Sequence, residues 1–137
     1  MSDIPYPISE NAPDRLRSAK GRPFAELTLD NVLDGSVDHG DFSITEDALR
    51  YQAEVARRAC RGTLADSFER AAEMVKVPNA ILMETYELLR PGRAESADLL
   101  FERARLLREE FGAERMALFI EEAANAYIRR SLFRRRY

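Results

Sequence analysis

Few side chains in this 137-residue sequence could move a proton, hold a metal or attack a carbonyl. The single histidine, His39, stands in the polar run Asp38-His39-Gly40-Asp41, so any hydroxyl-imidazole-carboxylate relay would have to use it. A metal there would draw on Asp38, His39 and Asp41, but Asp and Gly at this density favour a solvated turn. Zinc motifs need more cysteine or histidine than the chain owns, and the Glu-x-x-His pair of di-iron bundles does not occur. The carboxylate doublets Glu109-Glu110 and Glu121-Glu122 lie on helical patterns, where neighbours point about 100° apart, so they mark solvated faces rather than an acid and base pair. The glycines are too scattered to cradle a phosphate. Tyr51, Tyr86 and Tyr127 sit at helical spacing among apolar neighbours, which suits core packing with a bonded hydroxyl better than proton donation. No residue is therefore assigned a catalytic, cofactor-binding or metal-binding role.

Two patterns invite a nucleic-acid reading. The helix, glycine, helix run RRACRGTLADSFERAAEM resembles a DNA-reading pair of helices, but its second helix would present Asp66, Glu69 and Glu73 beside Arg70 and repel phosphate. The closing SLFRRRY, after Arg129 and Arg130, is the one basic cluster, and cations at a helix C-terminus complement its dipole. A net charge of -3 argues against polyanion binding, which needs a basic surface to displace counterions.

The elements that would position these residues are helical. Thr28 can cap a short helix through TLDNVLDG, with Asp30 in its first turn and Gly35 at its left-handed exit. Thr45 caps a longer one in which Leu49, Ala53, Ala56 and Cys60 share a face, ending near Arg61-Gly62. Leu64, Phe68, Ala71, Ala72 and Val75 form the next stripe, with Glu69 and Glu73 on its other side, stopping before Val77-Pro78. A helix starting at Pro78 carries Leu82, Thr85, Tyr86 and Leu89 inward until Pro91-Gly92. Ser96 can cap a further helix through Leu100, Ala104, Leu107 and Phe111 to Gly112.

The final helix, about 114 to 131, turns Met116, Ile120, Ala123, Ala124 and Tyr127 to the core. It is too apolar for one stripe: Leu118 and Phe119 fall outside that face, and Phe119, Ala126 and Phe133 make a second line seven residues apart. A second stripe implies a partner. Before residue 27, Pro5, Pro7, Pro13 and Pro23 stand with Ile4, Tyr6 and Ile8 between them, which pushes the backbone to extended geometry; the alternatives are a disordered tail and an arm that orders its apolar side chains on a partner surface. The expected fold is all-α, about five helices in a compact bundle with an extended proline-rich N-terminal arm (1–26) and a helical domain (27–137). The candidate subunit interface is Ile4, Tyr6, Ile8, Phe119, Ala126 and Phe133.

One cysteine, Cys60, excludes an internal disulfide, and neither a signal-like opening nor a long apolar run occurs, so a cytoplasmic protein is expected. The length suits one domain, able to bury roughly two-thirds of its unfolded surface.

Three stretches, LTLDNVLDGSVDHGDFSITEDALRYQAEVARRA, SFERAAEMVKVPNAILMETYELLRPGRAES and EEAANAYIRR, together resemble the small subunit of adenosylcobalamin-dependent diol and glycerol dehydratases. The resemblance runs from about residue 4 to residue 130 and is most specific at Leu27 to Leu33, Phe68 to Ala72, Val77-Pro78, Leu89-Arg90-Pro91 and Glu122-Ala123-Ala124. It implies large and medium partner subunits in a dimer of heterotrimers, and a reactivating chaperone for the assembly. It also implies adenosylcobalamin held between those partners, with none bound by this chain, and a radical conversion of propane-1,2-diol or glycerol to an aldehyde on the large subunit. No partner of nucleic acid or membrane is implied. Relatives that enter microcompartments carry an extra N-terminal segment before the matching arm, whereas here the match starts almost at Met1, so targeting by this chain is not expected. Gly92 and SLFRRRY depart from the family pattern. The alternatives are a free-standing helical adaptor or DNA-binding regulator and, with no feature behind it, an independent small enzyme.

Overall fold

The computed structural model describes residues 4–133. Among them the chain is helical, with α1 Ile8–Asn11, α2 Leu29–Leu33, α3 Glu46–Arg58, α4 Gly62–Met74, α5 Asn79–Leu89, α6 Ala97–Phe111 and α7 Glu114–Arg129. No strand forms among the described residues beyond a single bridge between Arg17 and Pro23. The chain makes two compact units, Met1–Ala72 and Glu73–Tyr137. The expected tail Arg134 to Tyr137 lies outside the described residues.

In the first unit the threonine caps form as their spacing requires. Thr28 Oγ1 accepts from the Asn31 amide and Thr45 Oγ1 from the Ala48 amide, each satisfying a donor that helix geometry leaves open. Ala53 and Ala56 of α3 pack with Ala65 of α4 against Leu64 and Phe68. Small residues at these positions permit the close approach. The turn between α3 and α4 differs from the expectation. Cys60, not a glycine, takes the left-handed conformation at φ 58°, with the Cys60 amide bonded to Arg57 O and the Arg61 amide to Ala56 O. Gly62 then opens α4, and Cys60 is exposed rather than on the apolar face of α3.

The second unit is built on the hairpin of α6 and α7, joined by Gly112 at φ 62° and Ala113. Leu100, Ala104 and Leu107 of α6 meet Met116, Ala117, Ile120 and Ala124 of α7, sealed by Val77, Ala94 and Ala113 from the connections. Arg108 clamps the two helices from outside, donating to both oxygens of Glu121 at 2.8 and 3.1 Å and to Glu114 at 2.8 Å. Those bonds raise the Arg108 pKa above its ordinary value, and the Glu121 carboxyl is correspondingly lowered. Thr85, buried in α5, donates to Ile81 O, which hides its hydroxyl. Tyr86, expected inward, is 59% exposed, and Val75 is exposed as well. Thr85 and Leu89 already occupy the inner side of that short helix, leaving Tyr86 to face out.

α7 begins without a cap of its own. Ala113 offers no side-chain acceptor, and Ser96 at the same position of α6 makes no cap bond either. Glu73, at the end of α4, reaches over instead: its carboxylate accepts from the Arg115 amide at 3.0 Å and the Met116 amide at 2.9 Å. The residue expected on a solvated face is thus a helix cap supplied from forty residues away along the chain. Glu73→Ala is expected to cost about 1 kcal/mol in urea unfolding of this unit, and Glu73→Gln less, since the amide keeps one acceptor. Equal stability of Glu73→Ala and the unaltered chain would show that solvent caps α7 as well.

Candidate docking surfaces

The residues with chemical potential are absorbed by local structure. Ser18, buried, donates to Asp41 Oδ1 at 2.7 Å and accepts from the amides of Lys20 and Arg22. Asp41, also buried, accepts the Asp38 amide through its other oxygen, and Arg22 Nε stands 3.6 Å from it. The Ser18 bond holds the Asp41 carboxyl below the usual carboxylate range, helped by the Asp38 amide and the charges of Arg22 and Lys20. Asp38 is paired with Lys20 and lowered likewise, first by that bond. A Cβ at Gly40 would meet Lys20 Cε at 2.9 Å, the end of an exposed side chain that can shift aside. Both aspartates beside His39 are therefore committed to folding the loop, His39 itself is exposed, and among the described residues no three metal-ligating side chains come together.

Tyr127 donates to Leu89 O, and Tyr51 lies under the Arg15 guanidinium at 5.7 Å. Both are structural. Of the carboxylate doublets, Glu121 is taken by Arg108 while Glu122 points to solvent, which divides any acid and base pair. On α3 and α4, Arg50 and Arg57 turn to Glu69, so cations that would face phosphate are held by the fold's own acid.

What remains is apolar surface. Ile4 and Ile8 are half-buried in a groove along α3 with Leu16, Tyr51 and Val55, fixed by Arg58 donating to Ile4 O at 3.2 Å. Tyr6 between them is 75% exposed. Residues 4–26, expected as an extended arm, contain α1 and two single turns of 3-10 helix, at Pro13–Arg15 and Phe24–Glu26. On α7, Phe119 is 41% exposed and Leu118 is exposed beside it, as the second stripe requires. Phe119 and Ala126 share one shallow groove with Glu122, Ala123, Asn125 and Arg129. Phe133 does not join them. α7 ends at Arg129, Ser131 turns the chain at φ 54°, and Phe133 folds back onto the core with its ring 6.1 Å from that of Tyr127. A seven-residue line needs a continuous helix, and this one stops too early.

A further apolar surface lies on α2, among residues that the sequence pattern does not mark as exposed. α2 turns its apolar side chains outward: Leu29 is 72% and Leu33 76% exposed, with Val32 also exposed, while the polar Asn31 is half-buried. Its i, i+3, i+4 spacing was available as a signal, but the sign of that face was not.

A family model described as dehydratase small subunit matches residues 1–134. A propanediol dehydratase small subunit from Citrobacter freundii is 39% identical over 125 residues, covering 91% of this chain and 72% of that protein. One from Salmonella typhimurium is 38% identical over the same coverage.

Proposed function

The chain belongs to the dehydratase small-subunit family, and on that premise we propose that it is the non-catalytic small subunit of an adenosylcobalamin-dependent diol dehydratase. The observation carrying this is the likeness to propanediol dehydratase small subunits over 91% of the chain. The enzyme's reaction is the loss of water from propane-1,2-diol, or from glycerol, to give an aldehyde. When bound, adenosylcobalamin supplies the radical that starts it. This chain's residues do not fit that group: the one imidazole that could ligate cobalt, His39, lies exposed in a turn whose carboxylates serve Ser18 and Lys20. The chemistry belongs to the large and medium subunits, two copies of each with two of this chain, and a reactivating chaperone serves the whole.

What this chain does is bind. Phe119 and Ala126 on α7 and Tyr6 near the N-terminus offer side chains that gain from leaving water, at roughly 25 cal/mol per Å² of apolar area. Operation in the cytosol is in keeping with a single cysteine and with the fact that, among the described residues, no helix is long and apolar enough to cross a membrane. The direct experiment is co-expression with the large and medium subunits followed by native mass spectrometry. One complex with the three chains in equal number is expected; a two-chain complex that is active and never retains this subunit would overturn the proposal.

A further inference from the structure

α2 is a helix folded inside out. The half-buried Asn31 side chain donates from Nδ2 to Glu26 O at 2.6 Å, while the Asn31 backbone carbonyl ties the following turn by accepting from the Val37 amide at 2.9 Å and from Ser36 Oγ at 3.1 Å. Val37, 1% exposed, closes that side, and the loop beyond is pinned by Arg22 donating to Ser36 O at 2.7 Å. The opposite face consists of Leu29, Val32 and Leu33, one side of a helix by their spacing and all in water. Phe42 and Ile44 are exposed in the same unit a few residues on. Five large apolar side chains in sixteen residues left in water oppose the main driving force of folding, and exposed apolar patches of this kind mark contact surfaces.

The charge around this face says what covers it. Residues 26–38 contain four acids, Glu26, Asp30, Asp34 and Asp38, and no lysine or arginine. Glu26 and Asp38 are paired with Arg22 and Lys20, while Asp30 and Asp34 lie on and at the end of α2 itself. Hydrogen bonds from Ser36 hold the Asp34 carboxyl ionised to lower pH than usual. A second copy of this chain would set acid against acid across a twofold contact, which is unfavourable. We propose that the Leu29, Val32 and Leu33 face of α2 is an anchor that seats in an apolar groove, edged by arginine or lysine, on a partner subunit of the dehydratase. Three side chains are too little area for an interface of about 800 Å² per partner, so α2 is the centre of a wider contact.

This rests on the assignment of the chain as a dehydratase subunit, and the test separates the two. The unaltered chain, Leu29→Asp/Leu33→Asp and Asp30→Lys are each co-expressed with the large and medium subunits and pulled down through the large one. The double variant is expected to lower recovery of this chain at least about tenfold, and Asp30→Lys to lower it several-fold at low salt with less effect at high salt. Circular dichroism of the isolated double variant should match that of the unaltered chain, because neither leucine is buried. Failure of the unaltered chain to be recovered would overturn the subunit assignment. Its recovery together with undiminished recovery of the double variant would overturn the anchor alone. An isolated chain that dimerises through this face, with heteromeric assembly unaffected, would assign the face to a second copy and also overturn it.

Discussion

Ile120→Ala is expected to destabilise the unit Glu73–Tyr137 by about 3 kcal/mol, within the 2–5 kcal/mol typical of truncating a large aliphatic core residue. Ile120 is fully buried among Leu100, Ala104 and Leu107 of α6 and the neighbouring residues of α7. The loss combines the transfer of its methyl and methylene groups with the cavity left where packed helices cannot collapse. Urea unfolding followed by circular dichroism measures it directly, with an unchanged slope against denaturant showing that the loss lies in the native state. A shift below about 1 kcal/mol would mean that α6 and α7 close over the gap. If the chain binds its partners only when folded, excess large and medium subunits should restore part of the lost stability by mass action.

Phe119→Asp, one residue earlier, is expected to do the reverse. A helix turns about 100° per residue, so Phe119 leaves the core side that Ile120 occupies and stands 41% exposed beside Leu118. The isolated variant should remain helical and within about 1 kcal/mol of the unaltered chain, as exposed substitutions usually do. Recovery of the three-subunit complex should fall at least about tenfold, because a carboxylate would be desolvated without a partner where an aromatic ring had been buried. Unchanged recovery would remove the outer face of α7 from the interface and leave the burden on Tyr6 and α2. The contrast between adjacent residues separates a folding defect from a docking defect in one pair of proteins.

The helices themselves were legible because their determinants are local. Thr28 and Thr45 cap the first open amides three residues on, and Leu100, Ala104 and Leu107 recur with the helical period and are buried as expected. Other features depend on residues distant in the chain. Nothing near Ala113 marks a cap, and Glu73 reads as a solvated acid until α4 is seen to end beside the first turn of α7. Phe133 falls in register with Phe119 and Ala126 on paper, yet a stop at Arg129 and a left-handed Ser131 send it back to Tyr127. Cys60 adopts a backbone conformation for which Gly62, two residues later, was the better candidate by type.

The candidate docking surface divides in the same way. Phe119 was identified because a helix apolar on too many sides must leave one of them outside. Leu29, Val32 and Leu33 were not, because a single apolar stripe on a short helix ordinarily points inward. The amino-acid sequence by itself determined the helical class and the family, since period, caps and motif order are properties of neighbours along the chain. Only the tertiary structure decided which way α2 faces: the Asn31 side chain bonds to Glu26 O, and the turn after it is tied by Ser36 and Val37 to the Asn31 carbonyl. The loop that holds them is anchored by Ser18, Arg22 and Asp41, and the direction of an amphipathic face is set by such remote contacts, not by its spacing.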